Sequence, residues 1–575
     1  MGIEHGWNLR QWWSRPENRA WLAVLTVILF TFAVRFHLRA MPLERDEGEY
    51  AYAGQLILQG IPPYKLAYNM KLPGTYAAYA LVMAVFGQSP SGIHTGLAFV
   101  NAASIALMFA LARKLLDLTG AVTAAALFGL MLLSPSVLGL AGHATHFVVI
   151  AALGGLVLLL NCLAGPRLAR LFFSGVCFGI AFLMKQHGLV FGAFGVVYLG
   201  WVRFQQARSQ SVDSQSGAGR RRHGRRSERR LQLDWLSLSR ESGCLIGGVL
   251  LPYAITCLAL WKAGVFSQFV FWTFTYASQY VSSVPMAEAP AELRGTLERI
   301  FTDHAWFWGL AAGGAFFMWW DERVTLYRLF LTGLALCSVA AVTAGFYFRA
   351  HYFILLLPAL SLLGGIAVSR SIHLLQHDRS LELFLAIPTL LVLLIGLGAA
   401  FVSSGAVWFA LSPTAASARI YGTTLFGDCA TAAEYIRAHT SADARIAVLG
   451  SEPEIYFYSR RHSGTGFIYA YPLMEAHAYA SKMQDQIVQE IEAAAPQYLV
   501  FVQDRLSWLP RAHSDKKIFS WWTKYWASHY ELDRTINVSI EQQADLKGTL
   551  AGIIDLPQSD GAGVSNYLLI LKRKS

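Results

Sequence analysis

Charge is scarce in this chain. Only 14% of its 575 residues are Asp, Glu, Lys or Arg, 55% are hydrophobic, and the mean hydropathy is +0.40. That shortage excludes a soluble enzyme of this size and implies a polytopic membrane protein. Paired cysteines are missing too: Cys162, Cys177, Cys244, Cys257, Cys337 and Cys429 are scattered with no Cys-x-x-Cys spacing. They read as small apolar residues, not as a disulfide or metal framework. No small-residue cleavage site follows the first apolar run, which Arg10, Arg15 and Arg19 precede, so that run is expected to be a retained first span and not a signal peptide. Gly450-Ser451-Glu452-Pro453 has one glycine where a dinucleotide fingerprint needs three, which excludes that class of nucleotide loop. The apolar runs also carry almost no charge at their centres, which counts against a transporter or lipid-linked sugar flippase.

A bilayer core takes roughly 20 apolar residues as a helix, and the sequence offers about eleven such spans. They fall near 20–40, 92–112, 119–138, 144–163, 171–186, 187–203, 242–262, 303–320, 327–346, 350–369 and 384–406. Tyr76–Gly87 is only about half the needed length and reads as interfacial or re-entrant. The lysine and arginine bias places the N-terminus inside, with Arg113-Lys114, Arg167/Arg170, Arg323/Arg328 and Arg370/Arg379 in inner loops. The block Arg220-Arg221-Arg222-His223-Gly224-Arg225-Arg226 lies in a Ser/Gln/Gly-rich inner loop, 204–241, that suits anionic lipid better than nucleic acid. The expected fold is therefore a polytopic α-helical membrane domain, 1–411, followed by a soluble α/β domain, 412–575, on the outer side. Within that tail, helices are expected over Ala432–His439, from Pro453 to Ser459 and over Lys482–Ala495. Strands are expected at 445–450, 498–502 and 567–571.

The densest acidic cluster of the N-terminal third, Glu44-Arg45-Asp46-Glu47-Gly48-Glu49-Tyr50, opens the first outer loop, 41–91. If helical, it sets Asp46, Glu49 and Tyr50 on one face. A carboxylate at a desolvated membrane edge can have a raised pKa and act as a general base. The same Asp46-x-x-Glu49 spacing also reads as a capping pattern that starts an interfacial helix. Lys71, ahead of Leu72-Pro73-Gly74, suits a lipid phosphate or simple snorkelling. Arg349 and His351, with Tyr347 and Tyr352 beside them, suit phosphate binding or an ordinary interface anchor. His143 and His146 form an i, i+3 pair that could take a metal with a carboxylate, although no third ligand is evident. Lys185 and His187 either line the site or mark a span boundary, and Asp303-His304 carries the same ambiguity.

These motifs resemble the GT-C membrane glycosyltransferases, in particular the group that holds the lipid A aminoarabinose transferase and the protein O-mannosyltransferases. The likeness rests on Arg45-Asp46-Glu47-Gly48-Glu49-Tyr50-Ala51, Lys71-Leu72-Pro73-Gly74, Phe348-Arg349-Ala350-His351-Tyr352 with Leu357-Pro358-Ala359-Leu360, and, in the tail, Ala433-Glu434-Tyr435-Ile436 and Ser451-Glu452-Pro453-Glu454-Ile455-Tyr456. Leu72 departs from the family's Lys-Pro-Pro pattern, and Gly142-His143-Ala144-Thr145-His146 stands where many relatives place an acidic residue between the third and fourth spans. The resemblance implies inverting transfer of one sugar from a polyprenyl-phosphate donor to an envelope glycan, lipid or protein at the periplasmic face of a bacterial inner membrane. It implies catalytic carboxylates among Asp46, Glu47 and Glu49, and donor-phosphate contacts from Lys71, Arg349, His351 and Tyr352. Tyr50, His143, His146 and Lys185 would line the site or the acceptor. No cofactor is implied beyond an optional divalent metal, and no nucleic acid. The competing expectations are a flippase, a non-catalytic envelope polysaccharide assembly protein and an oligosaccharide ligase.

Overall fold

The computed structural model describes residues 14–163, 165, 167–216, 234–282, 284–320, 327–376, 380–511, 513–540 and 566–574. The arginine block 220–226, with Arg10, Arg323 and Arg379, lies outside them. The N-terminal part is built from helices α1 (Pro16–His37), α2 (Arg45–Leu58), α3 (Gly74–Phe86), α4 (Pro90–Leu115), α5 (Leu118–Met131), α6 (Ala144–Cys162), α7 (Leu168–Met184), α8 (Leu189–Ser216), α9 (Trp235–Lys262), α10 (Ala289–Trp320), α11 (Arg328–Thr343), α12 (Leu357–Gln376) and α13 (Ser380–Gly405). Among the described residues eight helices are long and apolar enough to cross a membrane: α1, α4, α6, α8, α9, α11, α12 and α13. The other three expected spans fall on α5 and α7, which are shorter, and on the second half of α10, which is not one of the eight. The short helix expected near Tyr76–Gly87 is α3, of 13 residues.

Two features of the bundle position the outer loops. Arg35, buried near the end of α1, donates to the carbonyls of Leu132 (2.8 Å), Gly139 (2.7 Å) and Leu140 (3.3 Å), and so clamps the loop that leads to His143. One guanidinium thereby satisfies carbonyls that a non-helical buried loop would leave orphaned. Helix α2 is capped by Glu44, whose Oε1 accepts from the Glu47 N–H at 3.0 Å, while Glu47 accepts in return from the Glu44 N–H at 3.4 Å. The reciprocal cap is thus two residues earlier than the Asp46-x-x-Glu49 pattern suggests, which leaves Asp46 and Glu49 for other partners.

From Pro413 the chain becomes an α/β domain with α14 (Pro413–Tyr421), α15 (Leu425–Ala438), α16 (Glu454–Ser459), α17 (Ala480–Ala494) and α18 (Lys517–His529), around strands β1 (Arg445–Leu449), β2 (His462–Ser463), β3 (Tyr498–Gln503), β4 (Tyr530–Val538) and β5 (Asn566–Arg573). The five-stranded sheet has the order β2-β1-β3-β5-β4. Strands β2, β1 and β3 run parallel, and β5 runs antiparallel to both β3 and β4. Strands β2 and β4 are the two that sequence pattern did not indicate. The first has only two residues, and β4 shows water a nearly continuous polar row that includes Glu531, Asp533 and Arg534. Charges on such an edge guard against strand addition and erase the alternation by which a half-buried strand is recognised.

Helix α2 is packed on every side, with Glu47 to Leu56 buried throughout. It is therefore not an interfacial helix with one wet face. Toward the bundle, Tyr50 meets the Tyr76 and Tyr79 rings, at 6.2 and 5.3 Å between centroids. Toward the α/β domain, Tyr52 stacks on Tyr456 at 5.1 Å and its hydroxyl accepts from the Ser463 N–H at 2.8 Å. Gly48 allows that closeness: a Cβ there would lie 2.6 Å from the Glu454 backbone nitrogen. Relieving such a clash by backbone shifts costs about 1–3 kcal/mol.

Candidate active site

The site forms where the first turn of α2 meets the turn before α3. Lys71 Nζ donates to Asp46 Oδ1 and to Glu49 Oε2, both at 2.6 Å, and sits 4.5 Å over the Tyr50 ring. The i, i+3 and i, i+4 spacing of Asp46, Glu49 and Tyr50 places all three before one ammonium. The other Glu49 oxygen accepts a short hydrogen bond from the Tyr76 hydroxyl. Glu49 is fully enclosed, whereas Asp46 and Lys71 keep about a quarter of their side-chain surface, 24% and 22%.

The second Asp46 oxygen faces two imidazoles, with His143 Nδ1 at 3.7 Å and His351 Nε2 at 3.9 Å. Their rings stack at 4.1 Å and 11°. Among the described residues, Asp46, His143 and His351 are the one group that holds three potential metal-ligand atoms within 4.8 Å of one another. An imidazole binds a metal along its ring plane. Two near-parallel planes share no point between them, so these three side chains stack instead of converging on an ion. A metal here requires one ring to turn.

Beyond His351 lies a second basic cluster. Lys185 Nζ rests 3.9 Å over the Tyr352 ring, the His187 ring is 4.8 Å from Tyr352, and the exposed Arg349 lies with its guanidinium 5.5 Å from the centre of the Tyr347 ring. From the α/β domain, Tyr469 reaches the same site. Its hydroxyl donates to the Arg45 carbonyl at 2.8 Å and lies 3.4 Å from Asp46 Oδ1.

Electrostatics separates the two site carboxylates. Burial pushes the Asp46 carboxyl up, but Lys71 and the two imidazoles outweigh it and hold Asp46 well below the usual carboxylate range. It is therefore ionised and a weak base, in contrast to the raised pKa expected of it. Glu49 moves the other way, because burial and the Asp46 charge together exceed the help from Lys71. Burial likewise lowers His143, but Glu44 and Asp46 bring it above its ordinary value. His351 is held below its own by burial, His143 and Lys185. The two rings are therefore driven apart, with a proton favoured on His143 over His351. Lys185 is pushed down to about 7, mainly by burial.

Two expected site residues are placed elsewhere. Glu47 accepts from the Gly142 N–H at 2.5 Å and pairs with His94 Nε2 at 2.9 Å, so it ties α2 to the bundle behind the site. His146 turns inward, with Nδ1 at 3.0 Å from Asn101 Oδ1. Its i, i+3 relation to His143 does not hold, because His143 is the extended N-cap residue of α6, with φ −59° and ψ 149°, and stands outside the helix. His304 is also remote, bonded to Ser134 Oγ at 2.5 Å beside the kink in α10. Tyr469 and Glu44 were not singled out from the sequence. Glu44 lay inside the acidic stretch, and Tyr469 carries no local signal.

Residues 71–212 match the dolichyl-phosphate-mannose-protein mannosyltransferase family. That segment starts at Lys71 and runs through α8. No curated protein matches the chain. Among solved structures, the chain is similar to the archaeal oligosaccharyltransferase AglB from Archaeoglobus fulgidus, in complex with an inhibitory peptide and a dolichol-phosphate. The two share 14% identity over 84% of this chain and 70% of that one, with a TM-score of 0.49. It is similar to ArnT from Cupriavidus metallidurans bound to undecaprenyl phosphate, at 14% identity over 84% of this chain and 93% of that one, with a TM-score of 0.49. It is also similar to the mycobacterial arabinofuranosyltransferase AftD, at 15% identity over 84% of this chain and 35% of that one, with a TM-score of 0.43. The chain is a polytopic helical membrane protein with a small α/β domain, and its residues 71–212 are similar to that mannosyltransferase family.

Proposed function

We propose that this protein transfers a sugar from a polyprenyl-phosphate donor to an envelope acceptor, inverting at the anomeric carbon, at the membrane face onto which the first loop and the α/β domain open. The lysine and arginine bias of the loops puts the N-terminus in the cytoplasm and that face outside, and the family resemblance makes it the periplasmic face of a bacterial inner membrane. The observation that carries this reading is the pairing of an ionised, Lys71-bound Asp46 with a separate basic cluster of Lys185 and Arg349. Two charge centres of opposite sign suit a reaction that gathers positive charge on a sugar ring and negative charge on a departing phosphate. The family matched by residues 71–212 uses donors of this class.

In the displacement, the acceptor hydroxyl oxygen forms the new bond to the anomeric carbon. The bond from that carbon to the phosphate oxygen breaks, and its electron pair leaves with polyprenyl phosphate. Asp46 orients the hydroxyl and lies opposite the developing positive charge. The proton passes to Asp46, which keeps 24% of its side-chain surface, whereas Glu49 is fully enclosed with its oxygens bonded to Lys71 and Tyr76. Lys185 and Arg349 balance the charge on the leaving phosphate. The test is to incubate the purified protein in lipid with radiolabelled polyprenyl-phosphate sugars and an envelope extract. Release of free polyprenyl phosphate together with label in the extract supports the proposal. Passage of intact lipid-linked sugar across the bilayer without its consumption overturns it in favour of a flippase.

A further inference from the structure

The parallel part of the α/β sheet ends in a crevice that is already filled. The chain leaves the carboxyl end of β1 toward β2 on one side and leaves β3 toward β5 and β4 on the other. Open α/β sheets take their ligands outside the carboxyl ends of the strands, at the point where such connections diverge. Here Glu452 lies just past β1, and Asp504 directly follows β3. The group held between them is a side chain of the first outer loop. Arg45 donates to Glu452 Oε1 through Nε at 3.1 Å and Nη2 at 2.9 Å, and its Nη2 is 3.6 Å from Asp504 Oδ2. The opposite oxygen of Glu452 accepts from the Ser451 N–H at 2.7 Å and from Ser507 Oγ at 2.6 Å, so this fully buried carboxylate is fixed in rotation.

We propose that the α/β domain takes Arg45 as its internal ligand and thereby fixes Asp46, with Glu452, Asp504 and Tyr469 as positioning residues for the reaction. This inference rests on the sugar-transfer reading above. Arg45 and Asp46 are consecutive in the first turn of α2, so holding one guanidinium sets the direction of the next side chain. Tyr469 adds a second fixed point on that turn, through the Arg45 carbonyl and the edge of Asp46. The close seat of Gly48 on Glu454 adds a third. Three contacts from one domain on a single helical turn leave Asp46 little freedom to lean away from a substrate. The domain therefore belongs to the machinery of the site, and its ligand-binding edge is not available for an acceptor.

The experiment uses the full chain in lipid, with Tyr469→Phe and Glu452→Gln beside the wild type. Three quantities are read: the kcat and donor KM of transfer, thermal stability, and hydrogen exchange of peptides covering 45–58. Tyr469→Phe keeps the ring and removes the hydroxyl, so kcat should fall about tenfold with donor KM within about twofold and no loss of stability. Glu452→Gln should lower kcat by about a hundredfold and speed exchange across 45–58. Glu452→Asp should restore part of both. Wild-type kcat in Tyr469→Phe, or a loss only in proportion to unfolded protein, overturns the inference. If the wild type transfers no sugar from any donor, the functional reading falls, and exchange then decides the positioning claim alone. Unchanged protection of 45–58 in Glu452→Gln would sink it.

Discussion

Two lysines stand at this site, both largely buried, and their environments drive them in opposite directions. Burial lowers Lys71, but Asp46 and Glu49, each 2.6 Å away, more than restore its charge. Lys185 rests on the face of Tyr352, forms no ion pair among the described residues, and titrates at about 7. Burial alone therefore does not set the state of a site lysine, because the presence of a carboxylate within hydrogen-bond reach decides the sign. Lys71 is satisfied within the protein and acts as a fixed part of the scaffold. Lys185 lacks such a partner, and in the function proposed above the donor's phosphate would supply one.

This contrast can be broken most forcefully at Lys71. Lys71→Met leaves two carboxylates enclosed without their cation, which should cost about 3–5 kcal/mol and abolish transfer. A thermal melt and a transfer assay read both effects. Lys185→Met should instead leave the donor-free protein at least as stable, since it removes an ammonium that burial disfavours. Losing one charge-assisted contact to phosphate should weaken donor binding by about tenfold to a hundredfold. Equal destabilisation by the two substitutions would refute the distinction. A finer test is pH. Lys185 loses its proton as pH rises through about 7, so kcat/KM for the donor should fall across that range. Lys185→Arg should carry the limb to much higher pH. The smallest effect is expected at His146, which faces Asn101: His146→Gln should keep kcat within about twofold, because its polar contact lies in the bundle and can be remade.

Much of this site could be read in the sequence wherever helical spacing governs. Asp46, Glu49 and Tyr50 share a face because α2 is regular there, and Lys71 meets them because the turn at Leu72-Pro73-Gly74 brings the chain back. Spacing failed where a residue sits at a helix boundary, as His143 does, and the expected pair with His146 dissolved into two separate environments. The cap at Glu44 and Glu47 escaped notice because Glu is an uncommon N-cap residue and Asp46 offered the more conventional pattern. Tyr469, Glu452 and Asp504 could not be assigned at all, since nothing local links them to a loop some four hundred residues earlier. The expected raised pKa of Asp46 likewise depended on neighbours that only the folded chain supplies. Length and composition single out eight of the eleven expected spans: α5 and α7 are apolar but shorter, of 14 and 17 residues, and after α5 Ser134-Pro135 directs the chain into the segment that Arg35 clamps.

The role of the ionised Asp46 is tested most directly by single-turnover transfer by the wild type and by Asp46→Asn, with donor binding measured on the same preparations. Asn keeps the size of the side chain and removes its charge. The predicted result is normal or near-normal donor binding by both proteins and a loss of at least about a thousandfold in the transfer rate of the variant. Transfer by Asp46→Asn at the wild-type rate would contradict the account, because the ionised Asp46 would then have no part in the chemistry.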